Sequence, residues 1–441
     1  MSRFRESFLQ GGQLGQFFHF GPYAKLGRGE QTLWREMLDQ REYAEMARAW
    51  KPGSIDMRQW TDQAIALGAE YAVLTTRHHD SYCLWDTKET NYNSFHCFGR
   101  DLVREYVEAC RAQGLKVGLY YSLADWTCPA YFQGPAENPE GFASFLQHIR
   151  NQVTELLTHY GKIDIIWFDA CTPHDSPAWN SEELVRMIRG LQPEILINCR
   201  LGVDVKRGAE HIDGGIGPGG SKRFGDFIIG EGRVISGSDM AWETCATSTR
   251  ARWGFSQGEA WRTVPEIAEE SLRVLFSGGN YMLNVGPDPE GEIPSEYRSI
   301  ALELGSWLKV IRGEMRGAVP FGELTFVNRG WLFSRGNTLY LVLRSWDESG
   351  TLSLRDLEGS PISARLLGTQ ARLETTRVAD QIFITDIPKA RPSPVYPVIA
   401  LELDQPPTVC SKTAKRTWAA DLKRWQQFAQ WAKTFPQNPN T

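Results

Sequence analysis

The chain is expected to fold as an α/β protein: an irregular (β/α)8-like TIM barrel, then an antiparallel β-sandwich, then a short C-terminal helix. Three observations lead there. Up to about residue 315, short apolar runs alternate with amphipathic helical patterns, and that alternation calls for a parallel sheet covered on both faces. More than six such units occur, which favours a closed barrel over an open sheet. Beyond Pro320 the helical period gives way to short β-type runs separated by turn residues.

The barrel strands are expected at residues 16–20, 71–76, 117–122, 163–168, 195–199, 240–245 and 281–285. Helical patterns fill 101–113, 142–158, 182–191 and 264–276, with Asp101 placed to cap the first and Gly114 following its end. The expected domains are a catalytic barrel over 1–315, the sandwich over 316–405 and a tail helix over 406–441. In the sandwich, runs at 339–342, 351–354, 364–367 and 381–384 read as strands, and Asn337 and the segment 347–350 supply turn chemistry. The tail carries six basic side chains and one acid, with Trp418, Leu422, Trp425, Phe428 and Ala432 at helical spacing. That pattern suits a helix docking on its own body or forming a homo-oligomer contact.

Composition narrows the function. In 441 residues, 48 basic side chains meet 53 acidic ones for a net charge of −5. That balance leaves no electrostatic footprint for nucleic acid. No apolar run is long enough for a membrane span. The N-terminus lacks the pattern of a signal peptide, and the eight cysteines form no CxxC pair, so a cytoplasmic location with free thiols is expected. The aromatic share is 12%, with 16 Trp, 14 Tyr and 21 Phe, which suits both a core and the walls of a sugar cleft.

Reactive groups of such barrels stand where strands end at the C-terminal face. His19 closes the first expected strand, and Arg77-His78-His79-Asp80 follow the second. Tyr121 and Ser122 close the third, with Asp125 and Trp126 beyond. Asp169 follows the run 165–168, Arg200 follows 195–199, and Glu243 follows Trp242. Together they would line one cleft with carboxylates, imidazoles, one guanidinium and indoles. No metal is expected, because the His78-His79 pair has no HxH or HExxH partner. The Gly-rich stretch 214–220 lacks both the P-loop ending and the GxGxxG spacing, so it reads as a loop beside the site. No cofactor is implied.

Several motifs combine into a recognisable set: QFFHFGPY (16–23), TTRHHDSYCLW (75–85), RDLVREYVEACRAQGLKVGLYYSLADW (100–126), WFDA (167–170), AWETC (241–245) with RWGF after it, and YMLNVGPDPEGEIP (281–294). Over about residues 13–315 the chain resembles glycoside hydrolase family 29, the retaining α-L-fucosidases. The resemblance implies Asp169 as nucleophile and Glu231, in DFIIGE, as general acid/base, with Glu243 as the competing choice. It implies that His19, His78, His79, Tyr121 and Arg200 hold the fucose hydroxyls and the nucleophile. Trp167 and Trp253 would lie on the sugar's apolar face, Glu243 near the pocket, and Trp34 at a family Trp position. Leu33 stands where the family usually has Glu, and Glu30 or Glu36 is the candidate replacement.

The activity so implied is exo-hydrolysis of terminal α-L-fucosyl residues from fucosylated oligosaccharides or glycoconjugates, by double displacement. Fucose chemistry agrees with these residue types. Imidazole, phenol and guanidinium bond hydroxyls, and an indole covers the C5 methyl. Two alternatives share the same residues: a transfucosidase, and a fucose-binding protein without turnover. Linkage preference would be set by the segment 208–239, which holds nine Gly between 208 and 232.

Overall fold

The computed structural model describes residues 2–202, 223–235, 238–322, 329–346, 348–378 and 381–409. The chain divides into two compact units, residues 1–312 and 313–441.

The first unit is a parallel barrel. Its strands are β1 (Leu14–Phe18), β2 (Tyr71–Arg77), β3 (Lys116–Ser122), β4 (Ile165–Asp169), β5 (Leu196–Ile197), β6 (Phe227–Glu231), β7 (Ala241–Thr247) and β8 (Asn280–Val285). They hydrogen-bond in the order β5-β4-β3-β2-β1-β8-β7-β6. β2 and β8 are buried along their whole length, as expected where helices cover one face and barrel side chains the other. The helices Met57–Leu67, Leu102–Ala112, Pro139–Thr158, Ser181–Leu191 and Val264–Leu275 follow β1, β2, β3, β4 and β7. Asp56 and Asp101 cap the first two by accepting backbone N–H groups, and Thr263 with Glu266 forms a full capping box on the last.

The expected strands all appear, shifted by up to a few residues. β6 was not expected, because Phe227-Ile228-Ile229 is a short apolar run inside a Gly-rich stretch that reads as loop. The ring closes between β5 and β6 by one isolated parallel bridge, Asn198–Phe227, not by a ladder. Side chains reinforce this seam. Asp226 accepts from Arg5 of the N-terminal helix at 2.6 Å, from Arg189 at 2.5 Å and from the Ile197 amide at 2.8 Å. Arg5 also donates to the Ile195 carbonyl at 2.9 Å.

The second unit holds one eight-stranded antiparallel sheet. Its strands are β9 (Val319–Pro320), β10 (Gly330–Arg335), β11 (Thr338–Leu343), β12 (Leu352–Arg355), β13 (Pro361–Leu366), β14 (Arg372–Val378), β15 (Gln381–Thr385) and β16 (Val398–Leu403). The order is β12-β15-β14-β13-β16-β11-β10-β9. The sheet curls, so Leu341, Leu354, Ala364, Ile382 and Ile399 from separate strands share one core. The expected two-layered packing is thus made by one sheet. The proposed tail helix lies, from residue 410 onward, outside the described residues. Among the described residues no helix is long and apolar enough to cross a membrane, and no two of the seven described cysteines are joined to each other.

Candidate active site

Asp169 is the last residue of β4, and Glu231 the last of β6. Between them stands Arg200, three residues past β5. The Asn198 side chain both accepts from and donates to the Phe168 backbone, at 2.8 Å each. This extends the β4–β5 pairing and aims the chain that carries Arg200. One guanidinium nitrogen donates to Asp169 Oδ1 at 2.5 Å, and the other to Glu231 Oε1 at 2.6 Å. A single planar cation therefore carries both carboxylates. Its Cζ lies over the Trp167 ring, 5.2 Å from the centroid, a favourable cation–π arrangement when buried.

Asp169 Oδ2 accepts from Tyr120 OH at 2.9 Å. Burial pushes its pKa up, but the Arg200 charge, followed by His79 and the Tyr120 hydroxyl, outweighs this and holds it below the ordinary carboxylate value. Asp169 is therefore ionised at neutral pH.

The imidazoles around it are neutral. Burial lowers His79 to about 4 and His19 to about 3, and drives His78 down as well. Their tautomers follow from partners. Ser122 Oγ donates to the Ala124 carbonyl at 2.9 Å, so at 2.7 Å from His79 Nδ1 it must accept. His79 Nε2 then keeps its lone pair, 3.9 Å from Asp169 Oδ2. Asn284 donates to the Trp253 carbonyl at 2.7 Å, so its Oδ1 accepts from His19 Nδ1 at 2.6 Å and leaves His19 Nε2 as an acceptor. Two acceptor nitrogens held by buried partners are suited to binding hydroxyl groups.

Glu243 differs in kind from Glu231. It is fully buried, with one oxygen accepting from Trp167 Nε1 at 2.8 Å and the other from Tyr71 OH at 2.5 Å. Burial raises its pKa to about 7. The Glu231 side chain is 40% exposed, so it can meet water and a leaving group. The Trp253 loop is held by Glu30, whose Oε2 accepts from the Trp253 and Gly254 amides at 3.0 and 2.9 Å.

An α-L-fucosidase family model matches residues 3–314. The chain belongs to the α-L-fucosidases. It is 27% identical over 417 residues to the human tissue α-L-fucosidase, covering 87% of this chain and 85% of that one. Among solved structures, α-L-fucosidase isoenzyme 1 from Paenibacillus thiaminolyticus superposes with a TM-score of 0.78 at 32% identity, covering 91% of this chain and 100% of that chain. The family 29 α-L-fucosidase from Bacteroides thetaiotaomicron gives 0.75 at 25% identity over 90% of this chain and 94% of that one. The protein is accordingly a glycoside hydrolase.

In this fucosidase, the structure brings His19, His78, His79, Trp167, Arg200, Trp253, Asp169 and Glu231 into one contiguous cluster, with Glu243 bonded to Trp167. Tyr121 is the exception. It pairs with Phe168 across β3–β4, points away from the barrel axis and donates to Gln152 at 2.7 Å. Tyr120, one residue earlier, shares the inward face with Ser122 and bonds Asp169. The register would have shown this: Tyr120 pairs with Trp167 and Ser122 with Asp169, and strand side chains alternate. Sequence reasoning also missed Asn284 and gave Glu30 a different task. Among the described residues, no three His, Cys, Asp or Glu side chains gather as metal ligands would. Trp34 lies further out, 53% exposed and stacked on Trp126 and Phe132. Glu36 is engaged with Arg28 at 2.8 Å. The Gly-rich stretch 214–220 and most of the segment 208–239 lie outside the described residues.

Proposed function

We propose that the chain is a retaining, exo-acting α-L-fucosidase that removes terminal α-L-fucosyl residues from fucosylated oligosaccharides or glycoconjugates through a covalent fucosyl-enzyme. The observation that carries this reading is the bridge Asp169–Arg200–Glu231. One guanidinium bonding both carboxylates keeps them close together, which supports a retaining mechanism, whose two carboxyls stand roughly 5–5.5 Å apart. Asp169, ionised and shielded, attacks the anomeric carbon. Glu231 protonates the leaving oxygen and then activates water for the second displacement. Glu243 is the weaker choice for this role, because both its oxygens are engaged and solvent does not reach it.

The remaining groups position the sugar. A substrate hydroxyl lying beside the His79 Nε2–Asp169 Oδ2 pair, whose atoms are 3.9 Å apart, can donate its proton to one of these two acceptors. Hydroxyl contacts beside the reacting carbon are the kind that strengthen in the transition state. His19 Nε2 offers a second acceptor, and the indoles of Trp167 and Trp253 supply apolar surface for ring C–H groups and the methyl.

Azide separates the two carboxyl roles. Asp169→Ala is expected to lose about 10³-fold or more in turnover, and azide then attacks the α-fucoside directly to give the β-fucosyl azide. In Glu231→Ala, azide enters after the covalent β-linked intermediate has formed, so the product is the α-fucosyl azide. Near wild-type hydrolysis by Asp169→Ala would sink the reading. Rescue in Glu243→Ala but not in Glu231→Ala would transfer the acid/base role.

A further inference from the structure

We infer that the buried ion pair Arg77–Asp125, acting through Ser122, is a positioning device that fixes His79 as a hydrogen-bond acceptor toward the sugar. This rests on the reading just given and adds residues that stand behind the ring meeting the substrate. The device starts from a bulge. β2 pairs with β3 at Thr75–Tyr120 and next at Arg77–Tyr121, so Thr76 is an extra residue. A bulge of this kind re-aims the side chains that follow it. Arg77 therefore shares the outward face with Tyr121, its Cζ 5.1 Å from that ring's centroid, while the chain runs on to His78 and His79. Both charges are buried, Arg77 at 1% exposed and Asp125 at 7%.

The guanidinium staples the two loops that flank His79. One nitrogen donates to the Ser122 carbonyl at 2.7 Å and to the Ala124 carbonyl at 3.4 Å. The other donates to Ser81 Oγ at 3.1 Å and to Asp125 Oδ2 at 2.6 Å. Asp125 Oδ1 in turn accepts from the Thr127 amide and hydroxyl at 2.9 and 2.7 Å. Ser81 closes the turn around His79, its amide donating to the His78 carbonyl at 3.0 Å, and the Trp126 amide donates to the His79 carbonyl at 2.9 Å. The Ala124 carbonyl is the deciding atom. It takes the Ser122 hydroxyl proton at 2.9 Å, which leaves Ser122 Oγ only a lone pair to offer His79 Nδ1 at 2.7 Å. The ring proton then sits on Nδ1, and Nε2, 3.9 Å from Asp169 Oδ2, is an acceptor. Were that carbonyl to turn away, the hydroxyl could donate to Nδ1, and Nε2 would carry the proton. A donor at Nε2 would bond the Asp169 carboxylate and compete with the substrate hydroxyl. Taking an ion pair out of water gains little over apolar packing, so the carbonyls it aims account for it better than stability does.

The test reads the tautomer and the recognition of hydroxyls in the full chain. Proton–nitrogen NMR of the protein carrying isotope-labelled histidine, with His79→Gln to assign the signal, is expected to show His79 as the neutral Nδ1–H form. In Ser122→Ala and Arg77→Lys the direction of the hydroxyl is lost, and a share of the Nε2–H form is expected. Kinetics use α-L-fucosyl fluoride and its three monodeoxy analogues. Dividing kcat/KM of the parent by that of each analogue measures how strongly each hydroxyl is recognised. In both variants this ratio is expected to fall about tenfold at one position, the hydroxyl that His79 accepts, and to stay within about twofold at the other two. Losses spread evenly over all four donors, with the tautomer unchanged, would overturn the device and leave the ion pair a structural element. Arg77→Lys indistinguishable from wild type beside an altered Ser122→Ala would overturn it too, because the control would end at Ser122. Where Arg77→Lys does not fold, Asp125→Asn takes its place in both measurements. Wild type that turns over none of the donors would bring down the fucosidase reading and the device with it. Wild type that turns over the parent but holds His79 as the Nε2–H form would remove the device alone.

Discussion

At the scale of single residues, Arg200 and Glu243 make the sharpest predictions. Burial alone would raise Asp169, and Arg200 reverses the sign. Arg200→Met should therefore move the acid limb of the kcat/KM profile upward by roughly 1–3 pH units, on top of a lower rate. An unmoved limb would mean that another group sets the ionisation of Asp169. Glu243 works the other way. Its carboxyl is protonated in the folded protein up to about 7, against an ordinary value of 4.5. The unfolded chain therefore loses this proton first. The stability it contributes is whole below about pH 4.5 and is lost as pH rises through 7. Glu243→Gln keeps partners for Trp167 and Tyr71 but cannot ionise. Its melting temperature should match wild type near pH 4 and exceed it above pH 7, by a stability difference of at most about 3 kcal/mol. A constant difference across that range would count against the buried acid. Asp169 and Arg200 were legible in the sequence because each ends an apolar strand at the face where barrel chemistry gathers. Tyr120 was not, since a slip of one residue turns a strand side chain to the opposite face, and nothing local in Tyr120-Tyr121 tells the two apart.

At the scale of elements, the loop after β7 depends on a distant acid. Glu30 accepts two backbone amides at the base of the Trp253 loop. Glu30→Ala leaves two donors without this partner and should cost about 1–3 kcal/mol. It should also raise KM severalfold as Trp253 loosens, while Glu30→Gln restores much of both. A fall in melting temperature with KM unchanged would make Glu30 purely structural. Helices with strong start signals were readable: Asp101 caps Leu102–Ala112, and Ser181–Leu191 and Val264–Leu275 fall close to their amphipathic patterns. Strands of the second unit with alternating burial, such as Leu352–Arg355, were readable too. Arg372–Val378 was not. Five of its seven residues are polar or charged, and it is a strand because both neighbours pair with it.

At the scale of the whole molecule, the alternation of strands and helices announced the barrel, but nothing in it announced where the ring is weakest. The seam between β5 and β6 is held by Asp226, whose partner Arg5 is 221 residues away in the chain. No periodicity reports a contact of that kind. Asp226→Ala strands two arginines and the Ile197 amide, and should lower stability by about 2–4 kcal/mol. Thermal unfolding measures the loss, and an unchanged melting temperature would show the seam closed by other means. The same seam separates the two carboxylates proposed to react, since Asp169 stands on β4 and Glu231 on β6. Elsewhere in the barrel, a ladder of backbone bonds sets the spacing between strand ends. Here one backbone bridge and the Asp226 contacts close the seam, and the Arg200 side chain joins the two carboxylates across it. Carboxyls roughly 5–5.5 Å apart give retention, and roughly 6.5–9.5 Å apart give inversion. On the function proposed above, the Arg200 guanidinium then bears on the handedness of the product, because a barrel that gaped there by a few ångströms would admit a water between the two carboxyls.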